Sequence, residues 1–249
     1  MNTIVCIHSL TAHGTVGLKP FVALLGEAVL PVPSVLLTGP GNMPGCRRFP
    51  CDLAAMLDGT LAAVATRGSR AVLFVGYLAD AAQVAAVEAA LDQHAAVISA
   101  LVVDPVSGDD GRAYVAPALI AAWPRLLARA DWALPNMTEV ALLAGTPGDA
   151  GIGALRAAHP QLNLVVTGVT ADGEVATRLV TADGARAEHR QPRIAGHVSG
   201  TGDLFAAAWV REVFVRGLAP AEALGRAAQA VAAALREGRG ELALDAARG

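Results

Sequence analysis

A short run near the end of the chain combines residue types that can hold a phosphate and move a proton. Gly200, Thr201 and Gly202 precede Asp203, and the following residues have the apolar spacing of a helix buried on several sides. The first N–H groups of such a helix lack internal partners and carry partial positive charge, so they can hold an anion. Asp203 would repel that anion unless it had another task, such as accepting a proton from an attacking hydroxyl. Helix capping by Asp203 is the open structural alternative.

Polar side chains also stand just after three short apolar runs. These residues are Ser9, Tyr77 and Asp104. Ligands of open parallel sheets bind at the carboxyl ends of the strands, so these residues are placed to meet a small molecule. Asp104 could orient a magnesium ion or its waters, whereas the structural alternative is a carboxylate that starts a turn. For Ser9 the alternative is a hydroxyl that caps the next helix.

Asn136 and Glu139 open another predicted helix. Their spacing fits a capping box, in which each side chain bonds the backbone of the other residue, and this structural interpretation is favoured from the segment alone. The functional alternative places Glu139 near a magnesium-bound water.

Strands and helices alternate along most of the chain, which predicts a mostly parallel sheet covered on both faces. Two Asp-Gly pairs, at 172–173 and 183–184, predict an antiparallel meander at one sheet edge. Pro31 and Pro33 place the strand at 29–37 at an edge or in a projecting flap. The predicted strands cover residues 3–7, 29–37, 71–75, 101–103, 132–134, 163–169, 174–180 and 185–191. The predicted helices cover residues 16–25, 52–66, 79–94, 117–129, a segment after 135 closed by Gly145, 200–216 and 220–236, the last two packed together.

Composition restricts the class of protein further. Hydrophobic residues make up 54% of the 249 residues and charged residues 16%, which excludes disorder, and no apolar stretch reaches membrane-spanning length. A net charge of -3 predicts no general attraction to nucleic acid or anionic lipid. Three cysteines indicate neither a disulfide framework nor a zinc site, and the first residues do not resemble a signal peptide, so we expect a cytoplasmic protein. Lys19 is the only lysine, which excludes a Walker loop and the protein-kinase lysine.

Four segments in one order carry a family resemblance. They are Ile-His-Ser at 7–9 with Gly14, Asp-Pro-Val-Ser-Gly-Asp with Tyr114 at 104–114, Pro-Asn-Met-Thr-Glu at 135–139, and Gly-Thr-Gly-Asp at 200–203. Together they resemble the vitamin B6 kinases, the pyridoxal and pyridoxamine kinases of the ribokinase-like superfamily. Gly-Thr-Gly-Asp alone marks the superfamily, whereas the segment at 104–114 and the Gly-Tyr-Leu turn at 76–78 narrow it to the B6 group. The resemblance implies one α/β domain over residues 1–249, a ribokinase-like three-layer sandwich whose mostly parallel central sheet has helices on both faces and an antiparallel edge.

The resemblance also implies a role for each matched residue. Asp203 would be the catalytic base, and Gly200, Thr201 and Gly202 would form the anion hole. Asp104 and Glu139 would place Mg2+. The ATP-binding set would be Asp104, Asp109, Tyr114, Asn136, Glu139 and Thr167, and the B6 pocket would be lined by Ser9, Val16 and Tyr77 beside Asp203. ATP is the implied co-substrate, K+ stays open as a further cofactor, and a homodimer is expected.

The expected reaction is therefore ATP-dependent phosphorylation of the 5'-hydroxymethyl group of pyridoxal, pyridoxamine or pyridoxine. The family's polar flap, usually Ser-Asn-His-Thr or Ser-Thr-His-Thr, is replaced here by Thr-Gly-Pro-Gly at 38–41, so its His and the Thr that follows it are missing. This change predicts weak ring binding and relaxed choice among vitamers. One alternative is a hydroxymethylpyrimidine kinase, which residues 18–21 resemble, although that family usually has cysteine at the place of Asp203. The other is a B6-binding protein without catalytic activity.

Overall fold

A nine-stranded sheet forms the centre of the protein, described here by a computed structural model for residues 2–194 and 198–248. His197, at the start of the segment that leads into the Gly-Thr-Gly-Asp run, lies outside the described residues. The strands are β1 (Thr3–Thr11), β2 (Val29–Leu37), β3 (Arg48–Pro50), β4 (Ala71–Val75), β5 (Ile98–Val103), β8 (Trp132–Ala133), β9 (Asn163–Ala171), β10 (Glu174–Val180) and β11 (Arg186–Pro192), with a separate hairpin of β6 (Gly108–Asp109) and β7 (Arg112–Ala113). The order across the large sheet is β11-β10-β9-β8-β5-β4-β1-β2-β3.

The centre of the sheet is parallel, as the alternating pattern predicts. Strands β2, β1, β4, β5, β8 and β9 pair in parallel, whereas β9, β10 and β11 form an antiparallel meander. Asp172 and Gly173 both have positive φ at the first turn of the meander, the conformation that an Asp-Gly hairpin turn requires. The predicted meander is confirmed.

Helices cover both faces of the sheet and give three layers. One face carries α2 (Leu53–Thr66), α3 (Ala81–Gln93), α4 (Pro117–Leu127), α5 (Met137–Ala144) and α6 (Gly148–Ala158), and the other carries α1 (Leu18–Leu25), α7 (Thr201–Val210) and α8 (Pro220–Glu237). Alternate side chains of β1 enter the two cores, because successive residues of a strand point to opposite faces. Val5 and Ile7 join the first core, and Ile4 and Cys6 join the second. The three-layer ribokinase-like fold is confirmed.

Several elements differ from the sequence-based prediction. Strand β2 is not at the sheet edge along its whole length, because β3 pairs antiparallel with its last three residues. The predicted helix at 200–216 is α7 followed by one π-helical segment, Arg211–Val215. Two short 3-10 segments, Gly26–Ala28 and Leu244–Arg248, were not predicted.

Helix α6 was missed because its sequence opposes helix formation. Three glycines lie among its first six residues, and its N-cap is Pro147, which offers no side-chain hydrogen bond. Ile152 and Leu155 are nevertheless buried in the first core. Packing therefore overrides the local propensity of this segment.

None of the helices within the described ranges combines the length and the apolar character needed to cross a membrane.

Candidate active site

The carboxyl ends of the parallel strands open into one cavity of about 940 Å³. Every residue that the sequence assigned to a site lines this cavity: Ser9, Val16, Tyr77, Asp104, Asp109, Tyr114, Asn136, Glu139, Thr167, Gly200, Thr201, Gly202 and Asp203. The sheet order places β1, β2 and β4 at one end, beside the flap (residues 38–47) that joins β2 to β3. We call this the flap end. At the opposite end, the meander end, the cavity reaches β9, β10 and β11.

Asp203 lies in the first turn of α7 between these two ends. Its Oδ2 accepts a hydrogen bond of 2.6 Å from the backbone N–H of Gly17, and its Oδ1 lies 3.2 Å from Nε2 of His8. The N-cap of α7 is Gly200, and no side-chain hydrogen bond caps the described helix. The capping alternative for Asp203 is therefore wrong, because its carboxylate is held by the first strand and the loop that follows it.

His8 is a site residue that the sequence analysis missed. Its side chain is only 3% exposed, and its Nδ1 accepts the backbone N–H of Ser9 at 2.9 Å. A ring whose Nδ1 is an acceptor carries its proton on Nε2, so that N–H faces Asp203. The Nε2 to Oδ1 contact is close but not aligned as a hydrogen bond. Gly76 makes the space for the ring, since a Cβ there would lie 2.1 Å from Cδ2 of His8.

The surroundings of Asp203 keep its carboxyl group charged. Burial alone would raise its pKa, but His8 and the N–H of Gly17 together outweigh burial and hold the pKa below its usual value. A buried carboxylate that is ionised, and that lies beside a cavity, can accept a proton from a bound hydroxyl.

The loop before α7 is shaped by glycine. Gly200 has a φ of 93°, and a Cβ there would lie 2.7 Å from the carbonyl oxygen of Thr15. Gly202 is different, because a Cβ there would meet no atom within 4 Å. The space above the first turn of α7 is thus open to the cavity. The free N–H groups of this turn can receive an anion there.

Asp104 and Glu139 form a pair of buried carboxyl groups at the middle of the cavity. Asp104 directly follows β5, and Glu139 lies in the first turn of α5. Both residues are less than 10% exposed. Burial raises the pKa of Asp104 well above its usual value, and the nearby charge of Glu139 raises it further. Burial also raises the pKa of Glu139, to about 8, although backbone N–H donors oppose the rise.

The hydrogen bonds of these two carboxyl groups differ. Oε1 of Glu139 accepts the N–H of Ser107 at 2.9 Å, and its Oε2 accepts the N–H of Asn136 at 2.8 Å. Within the described ranges, no hydrogen bond reaches the carboxyl oxygens of Asp104. A buried carboxyl group without a hydrogen-bond donor keeps its proton unless a cation stabilises its charge, and Mg2+ is bound in proteins by one or two carboxylates together with substrate phosphates. The donor set therefore fits Mg2+, although no group of three or more His, Cys, Asp or Glu among the described residues would hold a metal alone.

Asn136 and Glu139 form the capping box that their spacing predicts. Oδ1 of Asn136 accepts the N–H of Glu139 at 2.9 Å, and the reciprocal bond from the Asn136 N–H is also present. Nδ2 of Asn136 then donates to the carbonyl oxygen of Gly108 at 2.9 Å. This second bond ties α5 to the β6–β7 hairpin, which carries Asp109 along the cavity wall. The structural interpretation is confirmed, and the two residues also line the cavity.

The two ends of the cavity have different linings. The flap end is bordered by Ser9, Val16, Leu37, Pro40, Gly41, Asn42, Arg48 and Tyr77, and the meander end by Thr167, Gly168, Val175, Thr177, His189, Gln191, Ala228 and Val231. The lining of the meander end beyond Thr167 was not predicted. These residues belong to β9, β10, β11 and α8, which come together only through the order of the strands in the sheet.

The sheet is ribokinase-like, and a charged acid lies at a helix N-terminus between the two ends of one cavity. This combination defines a phosphotransferase with an alcohol acceptor. Residues 45–245 match the family model described as phosphomethylpyrimidine kinase. The chain therefore belongs to the phosphomethylpyrimidine kinase family, and it is a kinase.

Solved structures agree with this assignment. Pyridoxal kinase from Lactobacillus plantarum is 28% identical, with a TM-score of 0.80 over 95% of this chain and 88% of that one. Pyridoxal kinase from Leishmania donovani, solved with ADP and pyridoxamine, is 25% identical, with a TM-score of 0.79 over 98% of this chain and 93% of that one. Pyridoxal kinase from Entamoeba histolytica, at 19% identity, shares the fold with a TM-score of 0.87 over 98% and 93%.

Proposed function

We propose that the protein transfers the γ-phosphoryl group of ATP to the 5'-hydroxymethyl group of a B6 vitamer in the presence of Mg2+. The observation that carries this proposal is the place of Asp203. Its ionised carboxylate lies at the first turn of α7, beside open backbone donors and between the two ends of one cavity. The vitamer would occupy the flap end, and ATP would occupy the meander end.

In this reaction Asp203 accepts the proton of the 5'-hydroxyl group as its oxygen attacks the γ-phosphorus. The new O–P bond forms while the bond to the bridging oxygen of ADP breaks, and ADP leaves with that electron pair. The N–H groups of Thr201 and Gly202 lie where the negative charge of the transferring group develops, and they would stabilise it. His8 and the N–H of Gly17 keep the base ionised and oriented.

Asp104 and Glu139 would hold Mg2+ at the middle of the cavity. The bound ion would neutralise charge on the β- and γ-phosphates. Asp104 offers oxygens without a hydrogen bond from the described residues, so it is the direct ligand in this proposal. Glu139 already accepts two backbone N–H groups and would act through a metal-bound water. Asn136, Thr167, Asp109 and Tyr114 would border the phosphates and the nucleotide.

The family match supports a second substrate, hydroxymethylpyrimidine. It presents the same hydroxymethyl group to Asp203, so the same residues would carry out the transfer. The first candidate is favoured because the resemblance at 104–114 and at 76–78 is to the B6 kinases. A protein that only binds B6 would not need an ionised buried acid beside an open anion hole, and this argues against the third alternative.

The replacement Asp203→Asn tests the proposal. The amide keeps the shape of the side chain but cannot accept the proton, so turnover with a B6 vitamer should fall about 100-fold to 10,000-fold. Turnover is measured by ADP release with saturating ATP and Mg2+. Binding of ADP by calorimetry serves as the control and should be little changed. Turnover within a few-fold of the wild type would show that Asp203 is not the base.

A further inference from the structure

Arg48 places a positive charge at the flap end of the cavity. Strand β3 pairs with β2 so that Arg48 is opposite Leu37, and both side chains line the cavity. Nη1 of Arg48 donates to the hydroxyl oxygen of Tyr77 at 3.0 Å. The guanidinium also lies near the flap, since a Cβ on Gly41 would be 3.9 Å from its Nη2.

This charge is not neutralised by the protein. Among residues 2–194 and 198–248, no carboxylate lies within ion-pair distance of the Arg48 guanidinium. The buried acids Asp104 and Asp203 lie farther along the cavity, where the phosphoryl transfer is proposed. The N–H groups of Arg48 that do not bond Tyr77 can therefore be offered to a ligand.

Its neighbour Arg47 makes a different contact. Arg48 and Phe49 are consecutive in β3, so their side chains point to opposite faces of the strand. The guanidinium of Arg47 lies 5.3 Å from the ring centre of Phe49 and therefore on the Phe49 side. Arg47 does not line the cavity, whereas Arg48 does. The two arginines thus give a matched pair of equal charge and adjacent position, one facing the cavity and one facing away.

We infer that Arg48 determines ring specificity by binding an anionic ring oxygen, and that it selects 3-hydroxypyridines over aminopyrimidines. This inference rests on the proposed function, since it assigns the flap end to the ring. A guanidinium has only donors, and it binds oxyanions strongly through charge-assisted hydrogen bonds. The 3-hydroxyl of a B6 ring ionises to such an oxyanion. The ring amino group of hydroxymethylpyrimidine is a donor and would face another donor.

The test compares pyridoxine with 3-deoxypyridoxine, which lacks only the ring hydroxyl. Binding of each compound is measured by calorimetry, in the presence of an ATP analogue that does not react, for the wild type, Arg48→Met and Arg47→Met. Arg48→Met should weaken pyridoxine binding about 10-fold to 100-fold, the usual range for a hydrogen bond to a charged group. It should change 3-deoxypyridoxine binding by less than about 3-fold, and Arg47→Met should leave both nearly unchanged.

Two results would overturn the inference. One is an equal loss for both compounds in Arg48→Met, and the other is wild-type binding that does not prefer pyridoxine to 3-deoxypyridoxine. Turnover assays on the same samples separate this inference from the proposed function. Binding that depends on Arg48 without phosphorylation of pyridoxine would contradict the kinase proposal and leave the role of Arg48 supported.

Discussion

His8 and Asp203 show how two residues from distant parts of the chain produce one reactive group. Burial raises the pKa of Asp203, and the neighbouring His8 and Gly17 reverse that rise. Because Nδ1 of His8 is occupied by the backbone of Ser9, the ring presents its Nε2 proton to the carboxylate. We interpret His8 as a positioning residue, which acts on the substrate through Asp203.

Removing His8 should change the pH dependence of turnover. In His8→Leu the burial of Asp203 is no longer opposed by the ring, so the pKa of the base rises. The base is active above its pKa, so the acid limb of kcat/KM should move to higher pH. His8→Gln keeps a donor and should move the limb less. Both variants are measured from pH 5 to 9, and an identical acid limb in the wild type and in His8→Leu would argue against this role.

The sequence identified Asp203 but not His8 or Arg48, and the reason is physical. Asp203 stands in a local pattern of glycines and a helix start, which carries its own chemical meaning. His8 and Arg48 gain their roles from contacts with Asp203 and Tyr77, far away in the chain, and these contacts depend on the order of the strands. The relaxed choice among vitamers expected from the altered flap stays a prediction, and Arg48 does not bear on it, because all three vitamers carry the 3-hydroxyl group.

At the scale of elements, the start of α7 holds two glycines with different roles, Gly200 at the N-cap and Gly202 in the first turn. Gly202→Ala should keep the stability of the protein, because the added Cβ meets no atom within 4 Å and α7 gains helix propensity. Its turnover should fall about 100-fold, since the Cβ projects into the proposed phosphoryl site and weakens one donor.

Gly200→Ala is the paired variant and should lose stability as well. Its φ of 93° is unfavourable for alanine, and the Cβ would lie 2.7 Å from the carbonyl oxygen of Thr15. Thermal unfolding and turnover are measured for both variants. Parallel losses of stability and turnover in Gly202→Ala would mean that this glycine is only structural.

The capping box of α5 should couple helix stability to nucleotide binding. Asn136→Ala removes the cap and the bond to Gly108, and it should cost about 1 kcal/mol in the free energy of unfolding. The freed β6–β7 hairpin should also raise the KM for ATP. Asp80→Ala removes the comparable cap of α3, outside the cavity lining, and serves as the control in urea unfolding and kinetics. An equal change in KM for both variants would contradict the coupling.

Most elements could be predicted because their apolar periodicity and turn residues agree with the final structure. The Asp-Gly turns at 172–173 and 183–184 predicted the meander correctly. The same Asp-Gly pair at Asp110 and Gly111 forms the turn of the β6–β7 hairpin, which the sequence analysis did not predict. Helix α6 could not be found locally, since its glycines oppose the helix that Ile152 and Leu155 stabilise by packing. Strand β3 has three residues, too few to carry a period of its own.

At the scale of the whole molecule, one sheet separates two apolar cores. Trp123 is fully buried in the core beneath α2 to α6, and Trp209 is fully buried in the core beneath α1, α7 and α8. Because strands such as β1 contribute to both cores, neither can lose its packing without disturbing the other. This supports the prediction of a single domain over the whole chain.

Two single-tryptophan variants test the cooperativity of the two cores. Replacing Trp132 and Trp209 by Phe leaves Trp123, and replacing Trp123 and Trp132 leaves Trp209. In each variant, the urea midpoint from fluorescence should equal the midpoint from circular dichroism. A fluorescence transition that precedes the dichroism transition in either variant would indicate two separate folding units. The homodimer and the cytoplasmic location stay predictions from the family resemblance and the sequence.

We propose that the protein phosphorylates the 5'-hydroxymethyl group of a B6 vitamer. The most direct measurement is the product formed from ATP, Mg2+ and pyridoxine, identified by mass spectrometry and by phosphorus NMR, with hydroxymethylpyrimidine in a parallel reaction. We predict pyridoxine 5'-phosphate in an amount equal to the ADP released, faster than the pyrimidine product, and almost none with Asp203→Asn. ADP release without a phosphorylated vitamer, or a product from the pyrimidine alone, would contradict the account.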